Sequence, residues 1–135
     1  MEVKVESKIG KLNGDCNRIY DFLSDCNNFQ QFVDGSKVND WQSDSDSCSF
    51  SVGGAGNVVF RIVERSPGNL IKFSIENAQA EDMFLWVQMK NVNHGDTRVK
   101  LTTKLKVNPV MKMFISKPLK NGLDKIVETL EYVCR

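Results

Sequence analysis

The sequence predicts an α+β fold in which a curved antiparallel sheet of about seven strands wraps around one long C-terminal helix. Three features support this prediction. Residues 38–107 form successive short runs of alternating apolar and polar side chains separated by turn residues, which is typical of antiparallel strands. A strand and two short helical segments precede that region. A segment with an apolar stripe at helical spacing follows it, beginning at Asn108 and continuing to the end of the chain.

The strand pattern is clearest where one face is plainly apolar. In the first strand Val3, Val5, Ser7 and Ile9 fall on one face at a period of two. In the last strand the apolar residues share one face and the basic residues share the other, so one face should be core and the other solvent. We interpret that basic row as a solvated face, with contact to an anionic surface as the alternative. The predicted strands are residues 2–12, 38–42, 47–52, 58–64, 70–77, 82–92 and 97–107.

The helical segments have recognisable start signals. Asp15 is a good N-cap for the first short helix, and Ser24-Asp25 begins a second helical turn. Pro109 is tolerated in the first turn of the terminal helix, whereas Pro118 removes a hydrogen bond further along. Two alternatives remain open here: Pro118 either kinks one helix or separates a short helix from a longer one.

Size and charge exclude several classes of function. A chain of 135 residues with a formal net charge of +1 predicts one domain over residues 1–135 and argues against nucleic-acid binding, which needs a strongly basic surface. The first six residues alternate in polarity, and no apolar run approaches the roughly 20 residues of a membrane span. We therefore expect no signal peptide, no stable membrane insertion and a cytoplasmic location.

The reactive residue types are scattered. The four cysteines form no C-x-x-C pair, so we expect reduced thiols that are mostly small buried hydrophobes. His94 lies in a predicted hairpin turn and Asp44 and Asp46 lie in another, each as ordinary turn residues. The glycine-rich segment 53–56 lacks the lysine that a phosphate loop requires. No catalytic residue, metal site or cofactor is predicted.

The order of elements resembles a known architecture. A strand, paired short helices, a six-strand meander and a long C-terminal helix are similar to the helix-grip fold of the START-like (SRPBCC, polyketide cyclase/dehydrase-like) superfamily. The Phe-Leu-Ser-Asp step at residues 22–25 resembles a step before the second helix in relatives, and the glycine-rich segment 53–56 matches the fold as well. Members include lipid and hormone binders, cyclases and interaction modules, so the resemblance implies a fold and leaves the function open.

A cavity between the sheet and the terminal helix is the expected ligand site. The alternative is that large side chains fill this space completely. Thr103, Tyr20 and Ser74 are weaker candidates for polar groups that orient a ligand. The ligand-binding candidates are Phe50, Phe73, Ile75, Leu85, Val87, Val99 and Leu101 on the strands, and Met113, Phe114, Leu119, Leu123, Ile126, Val127 and Leu130 on the helix.

Phe84 and Trp86 alternate with Leu85 and Val87, so they are expected on the outer face of the sheet. An exposed aromatic pair indicates a contact surface such as a homodimer interface. Two alternatives remain: a long neighbouring side chain covers the rings, or the opposite register places Trp86 in the cavity.

The sequence thus favours a non-enzymatic binder of a small hydrophobic or lipid-like molecule. A cyclase or hydrolase would need a polar cluster on inward faces that look apolar. An interaction module with a filled cavity would use the outer sheet face instead.

Overall fold

The computed structural model describes residues 2–33, 35–54, 56–77 and 80–134. Two α-helices and one 3₁₀ helix accompany the strands: α1 (Cys16–Leu23), the 3₁₀ helix (Cys26–Phe32) and α2 (Pro109–Val133). The strands are β1 (Glu2–Glu6), β2 (Gly10–Asn13), β3 (Val38–Ser43), β4 (Ser47–Val52), β5 (Gly56–Ser66), β6 (Leu70–Asn77), β7 (Ala80–Asn93) and β8 (Asp96–Lys106).

These strands form one antiparallel sheet in the order β1-β8-β7-β6-β5-β4-β3, with β2 also pairing with β8. The α+β prediction is confirmed, and the meander from β3 to β8 follows the chain order as predicted. The sheet has eight strands where about seven were expected, because the predicted strand 2–12 is two strands. We call the face that carries Leu85, Val87 and Leu101, all buried, the inner face.

The first predicted strand breaks after Ser7, and the break reverses its alternation. Val3 and Val5 are buried as predicted, but Ile9 is 66% exposed and Gly10 and Leu12 are buried in its place. The Ser7 hydroxyl accepts a hydrogen bond from the Leu101 N–H at 2.9 Å, so a side chain replaces a regular ladder bond at this point. The prediction that Ile9 faces the core was therefore wrong.

The two short helices begin where the capping residues predict. The Asp15 carboxylate accepts from the Asn17 N–H at 2.8 Å, and the Asp25 carboxylate accepts from the Asn27 N–H at 3.0 Å. Each carboxylate satisfies a backbone donor that the first turn of the helix leaves unpaired. The second segment is a 3₁₀ helix and packs near β3 and β4.

The terminal segment is one continuous helix with Pro118 inside it. Its second half packs on β1, β2 and β8 through Leu123, Val127 and Leu130, all of which are buried. The predicted helix extended to Arg135, which lies outside the described residues. Within the described part of the chain, no helix combines the length and the apolar character that crossing a membrane requires.

Candidate functional site

A cavity of about 530 Å³ lies between the inner face of the sheet, the 3₁₀ helix and the second half of α2. The expectation of an open space is therefore met, and the filled alternative is not what the structure contains. Its walls are mainly apolar. The aromatic lining residues are Phe29, Phe32, Trp41, Phe50, Phe60 and Phe73; the aliphatic ones are Leu23, Val33, Val38, Leu85, Val87, Leu101, Ile126 and Leu130.

Four aromatic rings form a continuous row along one wall. Trp41 stacks on Phe50 with ring centroids 5.7 Å apart, and Phe50 stacks on Phe60 at 5.7 Å. Phe60 then meets Phe73 edge to face at 6.3 Å. Each ring contacts the next, and the open volume lies beside this row.

A β-bulge in β3 places Trp41 in this row. The pairing of β3 with β4 shifts between Asn39 and Gln42, so two residues of β3 stand opposite one residue of β4. Asp40, the first of the two, has a φ of +57°, a left-handed conformation that aspartate adopts more readily than most residues. Trp41 is the second, and its buried Nε1 has no hydrogen-bond partner.

The polar groups that line the cavity are few. Lys37, in the segment before β3, lines the cavity, and so do Lys125 and Thr129 of α2. Among the residues that the structure describes, neither lysine ammonium has an ion pair or a hydrogen bond. The Thr129 hydroxyl donates to the Lys125 carbonyl oxygen at 3.0 Å, within the helix. None of the described lining residues is acidic, and none is histidine.

Cys48 also lines the cavity, and its thiol is in hydrogen-bonding contact with Cys26. Both side chains are buried. The hydrogen bond to Cys48, together with burial, raises the pKa of the Cys26 thiol, so this thiol stays protonated at neutral pH. Cys16 is buried and Cys134 is half-buried, and all four cysteines are free, as small buried hydrophobes would be.

The structure separates the predicted site residues into three groups. Ile75, Val99, Leu123 and Val127 belong to the hydrophobic core, and Leu119 is partly buried against it; none of the five lines the cavity. Met113 and Phe114 are on the surface, 82% and 68% exposed, so their placement in the wall was wrong. The predicted residues that do line the cavity are Phe50, Phe73, Leu85, Val87, Leu101, Ile126 and Leu130.

Met113 and Phe114 fall outside the cavity because only the second half of α2 lies over it. The helix residues that reach the space begin at Gly122. An apolar stripe at helical spacing predicts one buried face, but it does not show where along the helix the partner surface begins.

Sequence reasoning missed Trp41, Phe60, Lys37 and Lys125. The alternation of apolar and polar residues in β5 could have predicted that Phe60 faces the cavity. No local signal marked Trp41, because its direction depends on the bulge at Asp40.

The polar candidates were also misplaced: Thr103, Tyr20 and Ser74 do not line the cavity, and the Thr103 hydroxyl donates to the Phe84 carbonyl oxygen at 2.8 Å.

Phe84 and Trp86 lie on the outer face, opposite the cavity, and their rings are 6.0 Å apart. The Lys72 ammonium lies 4.5 Å from the centre of the Phe84 ring, and the Lys104 ammonium lies 5.6 Å from that of Trp86. Long side chains thus cover the pair, and both residues are half-buried. A homodimer through this face stays a prediction.

The turn residues form no second site. The Asp44 carboxylate accepts the N–H groups of Asp46 and Ser47, each at 2.8 Å, and these hydrogen bonds lower its pKa. His94 is exposed in its hairpin turn. In the part of the chain that the structure describes, no group of three or more histidine, cysteine or acidic side chains could hold a metal ion.

No protein-family model and no curated protein sequence matches the chain. Solved structures do match. A START superfamily protein from Mycobacterium smegmatis aligns with a TM-score of 0.62 at 11% identity, over 96% of this chain and 98% of that one. The chain has a START-like helix-grip fold. The predicted resemblance is confirmed at that level.

Two further structures share this START-like fold. A norcoclaurine synthase point mutant from Thalictrum flavum, bound to a transition-state analogue, aligns with a TM-score of 0.78 at 7% identity, over 99% of this chain and 94% of that one. The protein XoxI from Bacillus cereus aligns with a TM-score of 0.73 at 10% identity, over 98% and 94%. At such low identities the similarity concerns the fold alone.

Proposed function

We propose that this protein binds a small apolar molecule in the cavity between the sheet and α2, and that it does not transform that molecule chemically. The observation that carries the proposal is an open volume of about 530 Å³ walled by aromatic and aliphatic side chains. Small-molecule sites typically enclose about 300–1,000 Å³ and are lined in this way.

Burial of apolar surface would supply most of the affinity. Each 100 Å² of apolar area removed from water contributes about 2.5 kcal/mol before the cost of association is subtracted. The row from Trp41 to Phe73 offers flat faces to a ring or an alkyl chain. The rings of Phe50, Phe60 and Phe73 are already packed against one another, so these three need little ordering when the ligand enters.

Two alternatives have less support. Acid–base catalysis needs a positioned proton donor or acceptor, and no carboxylate or imidazole is found among the described residues of the lining. Norcoclaurine synthase is an enzyme with a similar fold, which is why catalysis must be tested. An interaction module was expected to have a filled cavity, and the open one favours ligand binding instead.

Native mass spectrometry of the purified protein tests the proposal, followed by extraction and identification of any bound molecule. We expect a near-stoichiometric apolar ligand, or uptake of an added alkyl or aromatic probe. Incubation with the identified ligand should return it unchanged. A protein that purifies ligand-free and takes up no probe would contradict the proposal.

Two helix variants make this test specific to the cavity. Ile126 lines the cavity and is 46% exposed, whereas Val133 does not line it and is 40% exposed. Ile126→Trp should reduce uptake by about tenfold or more, because the indole occupies ligand volume, and Val133→Trp should bind like the parent protein. Equal binding by both variants would place the ligand elsewhere.

A further inference from the structure

Two of the polar side chains at the cavity are hydrogen-bond donors without an acceptor among the described residues. Lys37 and Lys125 each present an ammonium group, which can only donate. The Thr129 hydroxyl already donates a hydrogen bond to the Lys125 carbonyl oxygen. With no acidic side chain among the described lining residues, the cavity combines apolar walls with an excess of positive charge.

The lysines near this part of α2 that have acidic partners do not line the cavity, whereas Lys37 and Lys125 line it and have no ion pair among the described residues. Lys120 pairs with Asp124 at 2.9 Å, and Lys8 pairs with Glu128 at 2.8 Å. The acidic residues of this part of α2 therefore serve the opposite side of the helix. Lys125 has no such partner among the described residues, although it lies one residue from Asp124 in the chain.

A third donor lies in the aromatic wall. The Trp41 indole N–H is buried and has no acceptor, and leaving a buried donor unpaired is unfavourable. The residue is held there by a bulge whose first position, Asp40, has a positive φ. Unfavourable local features of this kind tend to persist where they serve a binding site. The indole must turn before an acceptor can reach Nε1.

We propose that the ligand is an amphipathic anion: an apolar body that lies along the aromatic row and one acidic head group that accepts hydrogen bonds from Lys37 and Lys125. The Trp41 N–H is the neutral donor to the same head group or to an acceptor next to it. This inference rests on the proposed function and specifies the ligand class for the same cavity. A carboxylate fits, because charge-assisted hydrogen bonds to an ammonium are stronger than neutral ones.

The test compares three probes that share a tail and differ in charge: decanoate, decanol and decylamine, each kept below its micelle concentration. Trp41 and Trp86 are the two tryptophans of the chain, so the Trp86→Phe variant leaves Trp41 as the only indole. Titration followed by Trp41 fluorescence then reports on the cavity. Decanoate should bind about tenfold or more tightly than the other two, with a change in emission as the indole turns.

Lysine variants show whether the preference comes from the proposed residues. Lys37→Gln and Lys125→Gln should each weaken decanoate binding by about three- to tenfold and weaken decanol binding much less, because decanol carries no charge. Lys112→Gln is the matched control, since Lys112 is also exposed on α2 but does not line the cavity. The decanoate affinity of the parent should fall as salt is added, because salt screens an exposed charge pair.

Failure of this inference differs from failure of the proposed function. Equal affinities for decanoate and decanol, unaffected by either lysine substitution, would overturn the anionic ligand while leaving an apolar binder. Tighter binding of decylamine than of decanoate would overturn the inference, because the preferred head group would then be positively charged. Absence of binding by all three probes, together with a ligand-free native mass, would reject the proposed function and this inference with it. Decyl phosphate, tested in the same way, separates a phosphate head group from a carboxylate.

Discussion

Gly10 is the residue at which the C-terminal helix comes closest to the sheet. A methyl group placed on it would overlap the Val127 side chain and lie 3.2 Å from Val99 Cγ1. Val127 is fully buried, so it has little room to move away. The absence of a side chain at Gly10 therefore sets how closely α2 packs on β2.

We expect Gly10→Ala to destabilise the protein by about 1–3 kcal/mol, the usual cost of overpacking a core. Urea unfolding measures this change. Gly53→Ala is the control, because a methyl group there meets nothing within 4 Å, and it should be nearly neutral. Combining Gly10→Ala with Val127→Ala should cost less than the sum of the two single changes. Strict additivity would show that the two residues do not limit each other.

The first strand shows what can be predicted at the residue scale. Alternation correctly placed Val3 and Val5 in the core, since neighbouring side chains on a strand point to opposite faces. It failed at Ile9 because the break after Ser7 changes the phase. The changed phase places Gly10 against Val127, a residue far away in the chain, and this contact has no local signal.

At the scale of elements, acidic residues of α2 hold the break between β1 and β2. The Lys8 N–H donates to Asp124 Oδ1 at 2.6 Å, and the Lys11 N–H donates to Glu131 Oε2 at 3.1 Å. The sequence suggested a helix over the sheet but not this contact. It also left Pro118 undecided; the helix continues through Pro118, which lies in an exposed stretch.

The contribution of Asp124 should depend on pH. Hydrogen bonding from the Lys8 N–H, then from Lys120, lowers the pKa of Asp124 in the folded state. A lowered carboxyl pKa stabilises the fold above the ordinary aspartate value of about 3.9, and that stability is lost as the pH falls through the lowered pKa. Asp124→Asn should thus be less stable than the parent at pH 7, and the difference should shrink below about pH 4.

Urea unfolding of both proteins across this range measures the effect. Asp21→Asn, which alters an exposed carboxylate of α1, serves as the control and should show no comparable trend. A gap between the parent and Asp124→Asn that is the same at pH 3 and pH 7 would contradict the role given to the ionised carboxylate.

At the scale of the whole molecule, the order of strands was predictable, whereas the sequence predicted the cavity without deciding between an open and a filled one. A meander with short connections admits few topologies, so the β3-to-β8 order follows from the pattern. Whether Phe50 and Phe60 fill the space or line it depends on how they pack face to face. That packing depends on the distance between the sheet and α2, which no run of residues specifies.

Ligand binding should stabilise the entire fold if the cavity exists only in the folded state. At a free decanoate concentration of about 100 times its Kd, unfolding should require about 2.7 kcal/mol more than without ligand. Thermal unfolding at increasing decanoate concentrations measures this as a rising Tm. The Ile126→Trp variant should show a much smaller rise at the same concentrations. An equal rise in both proteins would indicate binding outside the cavity.

The bulge at Asp40 and Trp41 also has a consequence for solubility. β3 is the last strand on its side of the sheet, and an outermost strand presents unpaired N–H and C=O groups to which another chain can add. A bulge interrupts the regular spacing of those groups and bends the strand. Deleting Asp40 would therefore do more than withdraw the Trp41 indole from the wall. It would leave a regular, unprotected strand, so self-association between copies and loss of ligand binding should appear together.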